Sequence, residues 1–375
     1  MNSIRFFVNR HRRKVLFTLG IVGGGYALYR VYCAQKERML VLEEEEEAER
    51  RADELVEIRL REHFESLQRM SDSSSLAAAL DNLKDHLFEA LDYSELTERL
   101  NKGKGHLIPQ EKLELWERLK ILSFTRTVCA LWAMTVLNLY TRTQLNILGR
   151  HFFINQARGF ENLESMDQSI ALCQQKFLGS ADFLPQYGVT GLIVRMEKIV
   201  ENILESKHLR EPLTVGELYD IFRRILNNFP SSSLQWINYV IPENGLLYQE
   251  LSSGTSTFGV SQLPRAVLSP FETERAKLEQ LMAETRDVLS SNDFALILEQ
   301  SLKTVLDSMM EEFNTMFEGV TSGSIPLAKL LPPVSHASTV LLEHPTKNRF
   351  INIIGNLPQV QSFYALVYAN AGGIS

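Results

Sequence analysis

The chain has 375 residues, 45% hydrophobic and 23% charged, which is the balance of a folded protein with a sizeable core and excludes wholesale disorder. A formal net charge of −7 argues against a body that grips nucleic acid nonspecifically. The cysteines Cys33, Cys129 and Cys173 are odd in number and lack C-x-x-C spacing, and no N-x-S/T sequon occurs, so the pattern fits a reducing compartment without a disulfide framework or zinc site.

Residues 1–14 are basic, with Arg5, Arg10, His11, Arg12, Arg13 and Lys14, and the uncharged run Val15 to Tyr29 follows. A cleaved signal peptide would need a small-x-small site after this run, and Tyr29-Arg30-Val31-Tyr32 offers none. A core helix is possible on length. A membrane anchor over 1–34 fits best: Val15, Leu16, Phe17, Leu19, Ile21, Val22, Tyr26 and Leu28 supply the apolar surface. Arg30 can snorkel at its boundary, and Tyr26, Tyr29 and Tyr32 suit an interface. Its orientation is contested. The denser N-terminal cations would keep residues 1–14 in the cytosol, which sends the body into a lumen against the cysteine and sequon pattern.

Residues 35–70 read as a charged helical stalk, containing Glu43 to Glu47 and Arg50-Arg51 with little apolar stripe until Leu55, Ile58, Leu60, Phe64 and Leu67. The acidic run is read as a solvated face. From residue 71 onward the chain reads as a helical-bundle body. Ser71 to Ser75 supply caps for a helix over 76–91, and Lys102-Gly103-Lys104-Gly105 makes a turn, without the G-x-x-x-x-G-K-[ST] pattern of a phosphate loop.

The spine is predicted next, a single helix from Gln110 to near Arg158. Pro109 suits a first turn, Glu111 and Glu114 suit the positive end of the dipole, and no further Pro or Gly intervenes before Gly149. At about 100° per residue, Leu115, Leu119 and Leu122 share a core face, while Trp116 sits at its rim with Lys112 and Lys120 as angular neighbours. An aromatic between two lysines at a core edge has two readings, an anchor for a partner or a lid covered by lysine stems. The stretch Thr127 to Thr141 is apolar almost all round. It is too short for a span of ~20 residues and carries Asn138, so a helix wrapped by other helices is the better reading than one in lipid.

Capping boxes at Ser165 to Gln168, Thr214 to Glu217 and Ser269 to Glu272 open helices expected to end near Gly179, Pro230 and Ser290. Another amphipathic segment lies between Gly188 and Lys207. Residues 231–268, rich in Ser and holding Trp236, Tyr239 and Tyr248 without helical period, read as an irregular surface insertion. Helices resume over 292–318, at Pro326 to Leu331 and over 358–370. The expected fold class is all-α, a large bundle around one long central helix.

Enzyme signatures are absent: there is no H-E-x-x-H, G-x-S-x-G, strand-borne G-x-G-x-x-G or EF-hand loop. His336 and His344 lie in a Pro-bounded segment without Cys or paired acids, and Glu311-Glu312 reads as a solvated face. No catalysis, cofactor, metal, nucleic acid or small-molecule substrate is expected.

The run Lys112 to Arg126 (KLELWERLKILSFTR), followed by Gln144 to Gly149 (QLNILG), resembles the central segment of the peroxin-3 family. The basic N-terminus before a Gly-rich anchor and Pro326-Leu327-Ala328-Lys329 resemble it too. The likeness spans nearly the whole chain, is loose through 155–320, and is greatest to plant members in Arg12 to Leu16 and in the insertion at 102–105. The resemblance implies a docking receptor in the peroxisomal membrane, N-terminus toward the matrix and body in the cytosol, which would decide the orientation conflict for the cysteine pattern. It also implies transient passage through the endoplasmic reticulum. Its implied partner is the cargo carrier peroxisomal biogenesis factor 19, whose N-terminal amphipathic helix would lie in an apolar groove. By position, the implied site residues are Trp116, Lys112, Lys329 and Leu100, with Lys120 added as a rim lysine. The alternative is a membrane-anchored structural tether for cytoskeletal, inheritance or autophagy factors, with Trp116 only a lid.

Overall fold

In the computed structural model the residues described are 50–51, 58, 76–102, 108–157, 167–229, 234–242, 268–318 and 323–369. The expected anchor and its residues, the Ser71 to Ser75 caps and the glycines after Lys102 lie outside them, as does the stalk apart from Arg50, Arg51 and Ile58, which are helical. The chain divides into two compact units, residues 1–63 and 64–375. Helices of the second are α1 (Leu76–Ala90), α2 (Ser94–Lys102), α3 (Pro109–Ala157), α4 (Asp167–Gly179), α5 (Val189–Leu204), α6 (Val215–Asn228), α7 (Leu268–Ser290), α8 (Asn292–Glu318), α9 (Leu327–Leu341), α10 (Arg349–Gly355) and α11 (Pro358–Ala369). The strands β1 (Pro212–Leu213) and β2 (Ile325–Pro326) form one short antiparallel bridge, with Pro212 opposite Pro326 and Leu213 opposite Ile325. The architecture is the expected all-α bundle.

The 49 residues of α3 make it the spine, roughly 73 Å long at 1.5 Å per residue. Every other labelled helix packs against it, and each side chain from Leu122 to Ile147 is buried. By length and composition this helix would cross a membrane, yet 94% of its most apolar window is covered by the rest of the bundle. Protein, not lipid, therefore sheathes it. The polar groups along it are met from neighbours: Thr127 donates to the Val334 carbonyl at 2.6 Å, Gln144 to the Phe177 carbonyl at 2.5 Å, and the Tyr364 hydroxyl to the Leu139 carbonyl at 2.6 Å.

Local chemistry accounts for several boundaries. In α6 the Thr214 hydroxyl accepts from the Glu217 N–H at 3.2 Å while the Glu217 carboxylate accepts from the Thr214 N–H at 2.8 Å, the reciprocal cap read in the sequence. Helix α7 begins at Leu268, one residue before the expected cap, so that Pro270 falls in the first turn where its missing N–H costs no bond. Of the cap expected for α4, Ser165 and Met166 lie outside the described residues. Two short helices escape the sequence reading. One is α2, where the Asp92 carboxylate accepts from the Ser94 N–H at 2.9 Å. The other is α10, capped by Asn348 through the N–H groups of Phe350 and Ile351.

Residues 234–242 correct the expectation of a surface insertion over 231–268. They are helical through Leu234–Trp236 and Ile237–Val240, and Trp236, Ile237, Val240 and Ile241 are buried. Trp236 stacks on Phe294 at 5.9 Å and meets Trp132 of α3 edge-on at 6.0 Å, with Phe229 a further 5.1 Å from Trp132. Aromatic packing between distant segments holds this stretch inside, independent of helical period.

Candidate docking site

At the start of α3 the core face predicted from the wheel is present: Leu115, Leu119 and Leu122 are buried. Trp116 is half-buried and packs on the core's edge. Next to it, about 60° further from the core face, Leu113 is 55% exposed, and Ile108 just before the helix is 68% exposed. The sequence reading missed these two. For Leu113 the signal was available, since the wheel already puts it on the side away from Leu115, Leu119 and Leu122. The outcome is an apolar strip that emerges from the core through Trp116 and ends in solvent.

Helix α2 flanks the strip. It packs on α3, and Arg99 is paired with Glu111 at 2.8 Å, which pins the end of α2 to the first turn of α3. Leu100 is buried and Leu96 half-buried against the core, so Leu100 forms part of the floor between the two helices.

Lys112 is exposed, as the rim reading expects. Lys120 is not. It is 2% exposed, and its ammonium donates to the Lys207 carbonyl at 2.8 Å and the Leu204 carbonyl at 3.1 Å while pairing with Glu117 at 2.5 Å. The expected rim and partner-binding role of Lys120 is corrected accordingly: its charge is spent inside, on the last carbonyl of α5 and on the Lys207 carbonyl of the turn that follows. The physical reason is the negative end of the α5 dipole, whose last carbonyls have no partner within the helix. Just over two turns of α3 separate Lys112 from Lys120, and their environments differ because α5 ends at the level of Lys120.

The turn held by Lys120 reaches Lys329. The Ala328 N–H donates to the Leu209 carbonyl at 2.9 Å and the Leu327 N–H to the Glu211 carbonyl at 3.0 Å, continuous with the β1–β2 bridge. Lys329 is exposed in the first turn of α9, one residue beyond that junction. The start of α9, the turn after α5 and the first third of α3 thus meet at one corner of the bundle. Trp116 stands one helical turn, about 6 Å along the axis, from the Lys120 clamp.

Among the described residues no three His, Cys, Asp or Glu side chains could hold a metal ion together. Burial pushes the Cys129 thiol up, so it stays protonated and inert. His336 and His344 are exposed and separate. An apolar strip with a half-buried indole, flanked by exposed lysines, has the makeup of a helix-binding surface.

The family described as Peroxin-3 matches residues 103–370 of this chain. Peroxisome biogenesis protein 3-2 of Arabidopsis thaliana is 40% identical over 377 residues, covering 99% of each chain. Peroxisome biogenesis protein 3-1 of the same plant is 39% identical over 375 residues, again covering 99% of each. Human peroxisomal biogenesis factor 3 is 31% identical over 384 residues, covering 98% of this chain and 97% of its own.

Proposed function

Because the chain belongs to the peroxin-3 family, a family of peroxisome biogenesis factors, we propose that it is the receptor at the peroxisomal membrane on which the carrier peroxisomal biogenesis factor 19 docks. In this reading an amphipathic helix at the carrier's N-terminus lays its apolar face on Trp116, with Leu113 beside it and Leu100 in the floor, while Lys112 and Lys329 meet its acids. Docking brings membrane-protein cargo to the organelle. The chain acts here as a biogenesis factor, without a catalytic step of its own. Residues 1–34 serve as the anchor, with the N-terminus toward the matrix and the body in the cytosol.

The observation that carries the reading is the half-buried indole of Trp116 continuing into exposed Leu113. A lid would close the apolar surface at the indole. Here apolar surface runs on into solvent on the side away from the core, as an incomplete interface does. Lys112 and Lys329 supply positive charge at its edges, suited to orienting an acidic helix more than to adding raw affinity.

The test is a calorimetric titration of the chain with a peptide carrying the carrier's N-terminal helix. Trp116→Ala is expected to weaken binding by about 2 kcal/mol or more, the size seen for buried aromatic anchors, with the far-ultraviolet circular dichroism unchanged. Unchanged affinity would reduce Trp116 to a lid and overturn the docking reading.

A further inference from the structure

The corner that holds Lys329 carries another cation that the docking reading does not use. The turn between α5 and β1 runs over 205–211, and its charges are spent unequally. Glu211 is paired with Lys207 at 2.5 Å and accepts from the His208 N–H at 3.2 Å, so its carboxylate is satisfied within the turn and held below its usual range, chiefly by Lys207. Glu117, on α3 at the same level, is paired with Lys120. Arg210 is exposed, and among the described residues no carboxylate stands within ion-pair distance of it. Lys112 and Lys329 share that condition. Glu211 and Glu117 are thus paired within the corner while Arg210, Lys112 and Lys329 face out; Glu205, at the far end of the turn, and Glu114 on α3 are exposed acids.

Backbone bonds fix where Arg210 stands. The carbonyls on either side of it, those of Leu209 and Glu211, accept from the N–H groups of Ala328 and Leu327, which places Arg210 against the first turn of α9 and next to Lys329. The Lys120 ammonium holds the beginning of the same turn against α3. Arg210 is three residues past Lys207, within about 10 Å of that anchor even for extended chain. Its position is therefore set from both sides before any partner arrives, which lowers the ordering cost of using it.

We propose that Arg210 is a third cation of the docking surface and takes a carboxylate of the incoming acidic helix beside the one met by Lys329. The inference rests on the docking reading above. A guanidinium offers a planar pair of donors that matches one carboxylate, whereas the lysine ammoniums act as point charges, so Arg210 contributes to the register of the bound helix as well as to attraction. An acidic peptide is favoured over an anionic lipid surface because Lys112 adjoins the apolar strip of Trp116 and Leu113 on α3, with Arg210 and Lys329 at the same corner, and a peptide helix fills such a strip with side chains.

The test uses the full chain in detergent and the carrier peptide, titrated at low and high salt. Arg210→Glu is expected to weaken binding about tenfold at low salt, with the loss shrinking at high salt, while Trp116→Ala weakens it at both. Arg210→Lys restores part of the affinity. Against a peptide whose acids are replaced by Gln and Asn, Arg210→Glu causes no further loss. If Trp116→Ala weakens binding and Arg210→Glu does not, the inference is overturned and the docking reading stands. If Trp116→Ala has no effect, the docking reading itself falls. If Arg210→Glu spares the peptide and abolishes binding to vesicles of phosphatidylserine and phosphatidylcholine, the cation serves a membrane and the inference is again overturned. The substitution is at an exposed position, and an unchanged melting midpoint confirms that the comparison is between folded proteins.

Discussion

Lys112 and Lys120 flank Trp116 on the same helix, yet one is exposed and the other buried, and replacing each by Met separates them. In Lys120→Met the methylene stem is largely kept while the ammonium and its bonds to the Leu204 and Lys207 carbonyls, at 3.1 and 2.8 Å, are lost. Hydrogen bonds from a charged donor contribute about 1.5–3 kcal/mol each, and part of that is returned because a buried ammonium no longer has to be desolvated. The remainder is a destabilisation of about 2–4 kcal/mol, most of it from the Lys207 carbonyl, which loses its donor, since the Leu204 carbonyl keeps the Lys207 N–H at 3.0 Å. For a domain of this size that corresponds to a melting midpoint lower by about 4–8 °C, read by differential scanning fluorimetry. Lys112→Met, at an exposed position, is expected to leave the midpoint within about 1 °C and to act on carrier affinity alone. If Lys120→Met melted with the wild type, or Lys112→Met lost as much as Lys120→Met, the clamp between α3 and the end of α5 would be refuted.

Further outcomes follow from other contacts. A Cβ at Gly188 would lie 1.9 Å from the Tyr239 carbonyl oxygen and 2.8 Å from its carbon, both backbone atoms, so Gly188→Ala is expected to destabilise by about 2 kcal/mol or more; a wild-type melting curve would contradict that packing. Glu217 is held below its ordinary value of 4.5 by the Thr214 N–H and hydroxyl, so the stability it contributes is present above that value and lost as pH falls through the lower, folded-state value. The stability gap between wild type and Glu217→Gln should therefore narrow on acidification below about pH 4.5, and a gap that stays constant into strong acid would discount the carboxylate's role in the cap. For the proposed anchor, a chain beginning at residue 35 should be released from membranes by alkaline extraction. Retention would move the attachment elsewhere in the protein.

Much of the bundle could be read from local pattern because local pattern causes it. The reciprocal cap at Thr214, the glycine- and proline-poor run of α3 and the apolar spacing of α5 each specify an element over a few residues. What escaped depends on contacts across long separations. Lys112 and Lys120 have the same chemistry and lie on either side of Trp116 on the wheel; only the end of α5, more than 80 residues away, distinguishes them. Trp236 sits among serines without period, and Trp132 and Phe294 bury it. Helix α9 passes through Pro332 and Pro333, where the sequence suggests a stop, because Leu330 and Leu331 before the prolines and Val334, Ala337 and Leu341 beyond them are all buried in the bundle. The proposed docking strip was half legible: Trp116 stood out by type, whereas Leu113 was overlooked because an exposed leucine is ordinary until its neighbours are known.

The sheathed polar groups of α3 bear on the moment of synthesis, before any sheath exists. Emerging alone, this helix has the length and composition of a membrane-spanning segment. Asn138, Arg142 and Gln144 lie within it, and once folded Arg142 donates to Asn138 at 2.9 Å while Gln144 reaches Ser180 at 2.9 Å. In hydrocarbon the amides of Asn138 and Gln144 would lose these partners and Arg142, at the end of the uncharged run, would have to reach the interface, which tilts the balance toward release and folding in water. These residues so discriminate between two fates of the nascent chain, and substituting them with leucine should divert α3 into the bilayer.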